Sequence, residues 1–143
     1  MGDKAQANVR HDFGVSADKL FSVIGDFTNL TLIPAVPKVD FEGEGPGMVR
    51  RMYIDVNLPP TVEVLEALDP AERTISYGIP ENNPLPVAEY HATMRVVETG
   101  TDTCQLDWTC NFETAALSPA DSVAAIEGFY GMIIPGIEAA VSA

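Results

Sequence analysis

Apolar and polar residues alternate along much of this chain, most clearly at 87–97 and 103–112. Because successive side chains of a strand point to opposite faces of a sheet, this period of two predicts strands with one buried face. The same pattern, interrupted by turn residues, predicts five further strands. They span 5–14, 36–41, 50–56, 61–68 and 74–79.

Two short helices are predicted after the first strand. Ser16 is a suitable N-cap for a helix whose apolar residues recur at helical spacing as far as Gly25. Residues 27–33 are predicted to form a second short helix or turn before Pro34, because proline disfavours a helical conformation in the residue that precedes it.

A long helix is predicted at the C-terminus. Its start is marked by Ser118 as N-cap, Pro119 at the first helical position and Asp121 in the first turn. Apolar residues then recur at helical spacing as far as Ile137. Pro135 cannot donate a backbone hydrogen bond, so either a kink or the end of the helix is expected there. The sequence leaves both outcomes open.

The order of one strand, two short helices, six strands and one long helix is typical of an α+β fold. The 143 residues are the size of one domain, which we expect to span 1–143. We expect a curved seven-stranded antiparallel sheet wrapped around the C-terminal helix. One helix is too narrow to fill the concave face of such a sheet, so an internal cavity is also expected.

Alternation assigns side chains to the inner face of the sheet. The inward set of the last three strands comprises Ile75, Tyr77, Ile79, Tyr90, Ala92, Met94, Val96, Cys104, Leu106, Trp108, Cys110 and Phe112. The strand 61–68 is ambiguous, because Val62, Val64 and Leu68 compete for the core with Leu65 and Ala67. If Leu65 faces inward, then Thr61 and Glu63 face inward too.

The inward set contains aromatic side chains with polar tips, and two interpretations of them stay open. Tyr77, Tyr90 and Trp108 among aliphatic residues are typical of the lining of a ligand pocket. Alternatively, each hydroxyl or indole N–H finds a backbone or water partner inside a filled core. The sequence favours neither interpretation.

Composition and charge exclude several classes of partner. The net charge is −13, with 21 acidic and 8 basic residues, which argues against nucleic acids, anionic membranes and strongly anionic ligands. The longest uncharged apolar run is far shorter than the ~20 residues of a membrane span, so no integral membrane association is expected. No signal peptide is recognisable, and the expected location is cytoplasmic.

Cysteine and histidine residues indicate neither a disulfide nor a metal site. Cys104 and Cys110 lie on one predicted strand about 20 Å apart, whereas a disulfide requires Cα atoms within ~7 Å. Neither has a CxxC partner or a nearby histidine, so we expect no bound metal. His11 and His91 occupy predicted outward positions and are interpreted as surface residues.

Several segments together resemble a known group of proteins. They are Gly45-Pro46-Gly47-Met48-Val49-Arg50 at the start of a strand, Leu58-Pro59, Glu63 before the Asp69-Pro70 turn, Tyr77, Tyr90 and Trp108. With this order of elements, the chain resembles the START-like superfamily of Bet v 1-type domains (SRPBCC). It is most similar to the bacterial polyketide cyclase/dehydrase and lipid-transport group. The resemblance extends from Val9 to the last helix and implies a helix-grip fold.

The plant abscisic acid receptors share the pattern more distantly. In them a Leu-Pro loop and a second loop close over a ligand held between sheet and helix. Leu58-Pro59 matches the first loop, and 82–85 occupies the place of the second. Their pocket acid and tyrosine match Glu63 and Tyr90, whereas two further polar pocket positions are Ala92 and Leu106 here. The resemblance therefore implies a neutral apolar or aromatic ligand rather than an acidic one.

The predicted binding residues come from the sheet, the loop at 54–58 and the last helix. They are Ile54, Leu58, Glu63, Leu65, Tyr77, Ile79, Tyr90, Ala92, Met94, Leu106, Trp108, Cys110, Ile126, Phe129, Tyr130 and Ile133. Among them, Glu63 as a base and Tyr77 or Tyr90 as a proton donor could promote enolisation and dehydration of a polyketide-like substrate. The alternative is that Glu63 forms a structural ion pair with Arg50.

Three functions follow from this sequence. The first is binding or transport of a small hydrophobic or aromatic molecule, without chemistry. The second is a polyketide cyclase or dehydratase that uses Glu63. The third is a surface-acting interaction protein, similar to the co-chaperones of the superfamily, which predicts a pocket that is packed shut. We expect no cofactor, and we expect a homodimer only because symmetric dimers are the commonest assemblies.

Overall fold

A computed structural model describes residues 2–29 and 36–142. In these residues the alternating segments form strands β1 to β7, and the two capped segments form helices α1 and α2. The elements are β1 (Lys4–Phe13), α1 (Ala17–Ile24), β2 (Lys38–Glu42), β3 (Val49–Tyr53), β4 (Thr61–Asp69), β5 (Thr74–Glu81), β6 (Val87–Gly100), β7 (Thr103–Thr114) and α2 (Pro119–Ser142).

The described strands form one seven-stranded antiparallel sheet in the order β1-β7-β6-β5-β4-β3-β2. Helix α2 packs against its concave face, as in the helix-grip fold, so the predicted α+β fold class is confirmed. The predicted second short helix at 27–33 lies partly outside the described residues. Strand β3 ends at Tyr53, earlier than the predicted end at Val56.

The turns follow the glycine and proline signals of the sequence. Gly43, Gly45 and Gly47 all have positive φ between β2 and β3, which glycine adopts without steric cost. The Asp69-Pro70 turn joins β4 to β5, and Asp69 accepts a hydrogen bond from the backbone N–H of Glu72 at 3.2 Å. These turns place β3, β4 and β5 side by side on one half of the sheet.

Helix α1 is capped as predicted. The hydroxyl of Ser16 accepts a hydrogen bond from the backbone N–H of Lys19 at 3.2 Å. At the other end, the N–H of Gly25 donates to the carbonyl of Phe21 at 2.8 Å. The helix buries Leu20 and Ile24, so its apolar face closes one end of the core.

Helix α2 begins at the predicted cap, where the hydroxyl of Ser118 accepts a hydrogen bond from the N–H of Asp121 at 3.1 Å. The helix continues through Pro135 to Ser142, so of the two outcomes left open at this proline, an end of the helix is excluded. Its inner face buries Ile126, Tyr130, Ile134, Ile137 and Val141. By length and composition alone α2 could cross a membrane, a criterion that the core helix of a soluble domain also meets.

Irregularities in two strands decide which side chains are buried. The pairing of β4 with β5 shifts register twice, between Val62 and Val64 and between Leu65 and Ala67. The ambiguity of β4 is resolved because Thr61, Glu63 and Leu65 face inward and Leu68 is exposed. In β6, Glu89 has a positive φ of 49° at a further register shift, so Val87 and Tyr90 are both buried.

Candidate functional site

A cavity of about 390 Å³ lies between the concave face of the sheet and helix α2. Its wall is mostly apolar and includes side chains from the five strands β3 to β7, from α2 and from the end of α1. The lining residues are Ile24, Asp26, Phe27, Val36, Arg50, Met52, Ile54, Thr61, Glu63, Ile75, Tyr77, Ile79, Pro84, Tyr90, Met94, Trp108, Phe129, Met132, Ile133, Gly136 and Ile137.

Many of the predicted binding residues line this cavity. They are Ile54, Glu63, Tyr77, Ile79, Tyr90, Met94, Trp108, Phe129 and Ile133. Another group faces inward as predicted but is buried in packed core beside the cavity, namely Leu65, Ala92, Leu106, Cys110, Ile126 and Tyr130. Leu58 belongs to neither group, because its loop leaves it 59% exposed and away from the cavity wall.

Sequence reasoning missed several lining residues. Met52 follows Arg50 at strand spacing, so period two could have assigned it to the inner face. Gly136 and Ile137 lie one helical turn after Met132 and Ile133, so a helical period could have placed them on the cavity side of α2. Phe27 and Val36 come from irregular segments, for which no periodic signal exists.

Arg50 and Glu63 form an ion pair in the cavity wall. The residues are directly opposite each other on β3 and β4, and their side chains are only 12% and 9% exposed. Glu63 Oε1 accepts hydrogen bonds from Nε of Arg50 at 2.9 Å and from its Nη2. Arg50 Nη1 donates to the carbonyl of Phe27 at 3.0 Å, and the guanidinium lies 4.2 Å from the centre of the Phe27 ring.

This arrangement has two consequences. The structural ion pair between Arg50 and Glu63, which the sequence left open as an alternative, is present. Because the two charges neutralise each other, the cavity offers no uncompensated charge from this pair to an ionic ligand.

Three tyrosine hydroxyls form a chain at the inner end of the cavity. The hydroxyl of Tyr90 contacts that of Tyr130 on one side and that of Tyr77, at 3.4 Å, on the other. Tyr77 and Tyr90 line the cavity, whereas Tyr130 is fully buried. The Tyr130 ring stacks on the indole of Trp108, with centroids 3.7 Å apart and an interplanar angle of 8°.

Burial keeps these tyrosines protonated. Desolvation raises the pKa of Tyr77, and the negative charge of Glu63 raises it further. Burial is also the main cause that raises the pKa values of Tyr90 and Tyr130. All three phenols are therefore neutral hydrogen-bonding groups at physiological pH.

The cavity mouth is bounded by two loops that are hydrogen-bonded to each other. The side-chain amide of Asn82 donates to the carbonyl of Pro60 at 2.8 Å, and the Thr61 hydroxyl donates to the carbonyl of Asn82 at 2.9 Å. Ile54 and Met132 line the cavity and are also exposed, by 62% and 78%. Apolar side chains therefore reach from the interior to the surface at the mouth.

The cysteines and histidines lie apart from the cavity wall. Cys104 and Cys110 are free and buried, and desolvation raises the pKa of each thiol. His11 lies 3.6 Å from Glu138, and His91 lies 2.7 Å from Glu66 on the outer face of the sheet. Among residues 2–29 and 36–142, no cluster of three or more histidine, cysteine or acidic side chains could hold a metal ion.

A curved antiparallel sheet closed by one long helix around an internal cavity defines the helix-grip class of small ligand-binding domains. A family model described as polyketide cyclase / dehydrase and lipid transport matches residues 4–141. The chain therefore belongs to this family, and the predicted relation to the Bet v 1-type START-like superfamily is confirmed. No curated protein matches the sequence significantly.

Solved structures show the same fold across the whole chain. An uncharacterised protein from Bacillus thuringiensis is 25% identical with a TM-score of 0.81, over 97% of this chain and 100% of that one. XoxI from Bacillus cereus is 24% identical with a TM-score of 0.79, over 96% and 95%. Truncated norcoclaurine synthase from Thalictrum flavum is 20% identical with a TM-score of 0.75, over 98% and 94%.

Proposed function

We propose that this protein binds a small, uncharged apolar or aromatic molecule in the cavity between the sheet and α2. The observation that carries this proposal is the cavity of about 390 Å³ with a mostly apolar wall. Small-molecule sites usually occupy roughly 300–1,000 Å³ and combine apolar walls with a few polar groups. Thr61, Glu63 and Tyr77 supply such groups here.

The charges of the wall and of the whole chain disfavour an anionic ligand. Arg50 is already held by Glu63, so a ligand carboxylate would have to displace a buried partner that accepts two of its N–H groups. The rest of the chain is strongly acidic, with a net charge of −13, and repels anions. Neutral molecules avoid both penalties.

The fold supports an aromatic ligand more generally. Norcoclaurine synthase from Thalictrum flavum has been solved in complex with dopamine and hydroxybenzaldehyde. At 19% identity it indicates only that a protein with this fold can bind small aromatic molecules.

The uncharged fluorophore N-phenyl-1-naphthylamine tests this proposal. We expect its emission to rise on binding to the wild-type protein, and Ile75→Trp, which adds a large ring to the cavity wall, to abolish that rise. Val97→Trp adds the same ring at a partly exposed position outside the cavity and serves as the matched control. Equal emission with both variants would contradict binding in the cavity.

Catalysis is the second candidate, because Glu63 and Tyr77 face the same cavity and the charge of Glu63 acts on Tyr77. The Glu63 carboxylate would take a proton from the carbon beside a substrate carbonyl, and Tyr77 would donate a hydrogen bond to the enolate oxygen. Hydrogen–deuterium exchange at the methyl group of 2-acetonaphthone tests this candidate. An enzyme should accelerate the exchange as wild type, and its Glu63→Gln variant should still bind the ketone but not accelerate its exchange. If the wild-type protein does not accelerate the exchange, the catalytic hypothesis fails and ligand binding remains as the proposed function.

The third hypothesis, a surface-acting interaction protein, predicts a pocket without volume. A cavity of about 390 Å³ does not favour it.

A further inference from the structure

The chemistry of the ligand can be narrowed from the hydrogen-bond donors at the inner end of the cavity. Tyr130, Tyr90 and Tyr77 form a chain of hydroxyls in which Tyr90 contacts both neighbours. Each hydroxyl can donate one hydrogen and accept others. The balance of donors and acceptors along this chain therefore decides what the cavity presents to a ligand.

The three hydroxyls carry one hydrogen more than their two mutual contacts use. At one end of the chain the neighbour of Tyr130 is the thiol of Cys110, and sulfur is a weak acceptor. At the other end of the row of hydroxyls, Tyr77 faces the cavity. Among residues 2–29 and 36–142 its hydroxyl contacts no acceptor except Tyr90. The remaining hydrogen is best donated by Tyr77 into the cavity.

Trp108 adds a second donor at the same place. Its indole N–H is buried and has no hydrogen-bond partner among residues 2–29 and 36–142, although the residue lines the cavity and is only 3% exposed. The indole N–H lowers the pKa of the Tyr77 phenol as a hydrogen-bond donor, so the two groups lie close together, although the indole makes no hydrogen bond of normal geometry to any described residue. Because a buried donor without an acceptor costs about 1–3 kcal/mol, unmatched donors of this kind are rare.

The acceptor that fits here is uncharged. An anionic oxygen would find no free positive charge here among the described residues, because Arg50 is held by Glu63 and the chain has a net charge of −13. Glu63 Oε1 is itself engaged by Arg50. A carbonyl oxygen accepts hydrogen bonds without a charge and carries no hydrogen that would need another acceptor.

We infer that the ligand carries a ketone, aldehyde or quinone carbonyl, and that its oxygen lies at the inner end of the cavity and accepts a hydrogen bond from Tyr77. This inference rests on the proposed function, since it requires a ligand in the cavity. It holds for a carrier and for an enzyme alike. Trp108 stands beside this oxygen as the second donor.

A pair of isosteric probes tests the inference. 2-Acetonaphthone and 2-isopropenylnaphthalene differ only in an oxygen that replaces a methylidene group. Both can be titrated against the fluorescence of Trp108, which is the single tryptophan of the chain. Because a net hydrogen bond contributes about 0.5–1.5 kcal/mol, the ketone should bind roughly 2- to 12-fold more tightly than the alkene.

Two variants assign the preference to one hydroxyl. Tyr77→Phe should lose most of the preference for the ketone, because only the indole N–H of Trp108 then remains to donate. The carbonyl stretching band of the bound ketone, shifted to lower frequency in the wild type, should move back toward its position in an apolar solvent. Tyr53→Phe removes a hydroxyl from β3 that does not line the cavity, and it should retain the preference.

The outcomes separate the inference from the proposed function. If neither probe binds the wild type, the cavity is not a binding site for such molecules and the proposed function fails. If both bind equally, the function stands and the carbonyl inference is overturned, because water then satisfies the donors as well. A preference that survives undiminished in Tyr77→Phe would also overturn it.

Discussion

The two sides of the sheet meet helix α2 in different ways. On the closed side the helix lies close to β1, and inward residues of the neighbouring β7 such as Leu106 and Cys110 are completely packed. On the open side, formed by β3, β4 and β5, the inward residues line a cavity. Strands β6 and β7 lie at the boundary, because Ala92 and Cys110 pack into the core while Met94 and Trp108 border the cavity.

The comparison shows that one alternating pattern can serve two purposes. Side chains on both sides are inward and mostly apolar, so burial alone does not distinguish packing from binding. The position of the helix across the sheet makes the difference. We therefore expect stability to depend most on the closed side, except where the open side contains charges.

The largest expected effect is on the open side, at its ion pair. Arg50→Met leaves the carboxylate of Glu63 buried without a partner and should lower the free energy of unfolding by about 3–5 kcal/mol. Urea denaturation measures the loss. The double variant Arg50→Met with Glu63→Leu removes both charges and should recover most of the stability. A single variant as stable as the wild type would show that the pair is solvated and not part of a dry wall.

The second largest effect is expected when apolar side chains are truncated, because the loss in free energy of unfolding should differ between the two sides. Leu106→Ala on the closed side creates a new cavity in packed core and should cost about 2–5 kcal/mol. Ile133→Ala, on the helix face that already borders empty space, removes fewer contacts and should cost roughly 1 kcal/mol. Thermal and urea unfolding of both variants measure the difference. Equal losses would contradict the comparison.

Alkaline pH should destabilise the protein through the tyrosine chain. Folding raises the pKa of Tyr77, Tyr90 and Tyr130, so above about pH 10 the unfolded phenols release protons that the folded ones retain. The free energy of unfolding should therefore fall as the pH rises above this value. Tyrosinate absorbance at about pH 11 should be lower for the native protein than for protein unfolded in urea. Equal absorbance would show that the three tyrosine hydroxyls are open to solvent.

The smallest expected effect concerns the thiols of the closed side. Cys104 and Cys110 are almost completely buried, and desolvation raises the pKa of both thiols. Native protein should resist alkylation by iodoacetamide at mildly alkaline pH, whereas urea-unfolded protein should react at both residues. Mass spectrometry counts the modified sites. Rapid modification of the native protein would indicate that the closed side opens frequently.

The sequence predicted the regular parts of the fold well, because periodicity and caps are local. The alternation in β7 placed Cys104 to Phe112 correctly, and Ser16 and Ser118 cap their helices as expected. The facing of β4 could not be predicted, since its two register shifts depend on pairing with β5. The course of α2 through Pro135 likewise depends on tertiary packing.

The candidate site was only partly predictable for a related reason. Period two identifies inward residues but does not specify where the helix crosses the sheet. Leu106 and Tyr90 therefore looked equivalent, although one is packed and the other borders the cavity. The sequence predicted the pairing of Arg50 with Glu63 as an alternative. It did not predict the hydrogen bond that Arg50 donates to the carbonyl of Phe27.

Methyl NMR of isoleucine-labelled protein tests the central claim most directly, because isoleucines occur on both sides of the boundary. Ile75, Ile79 and Ile133 line the cavity, whereas Ile126 and Ile134 lie in packed core. Saturating N-phenyl-1-naphthylamine should shift the methyl resonances of the first three and leave those of Ile126 and Ile134 nearly unchanged. Shifts of equal size in both groups, or no shift in either, would contradict a binding cavity on the open side of the sheet.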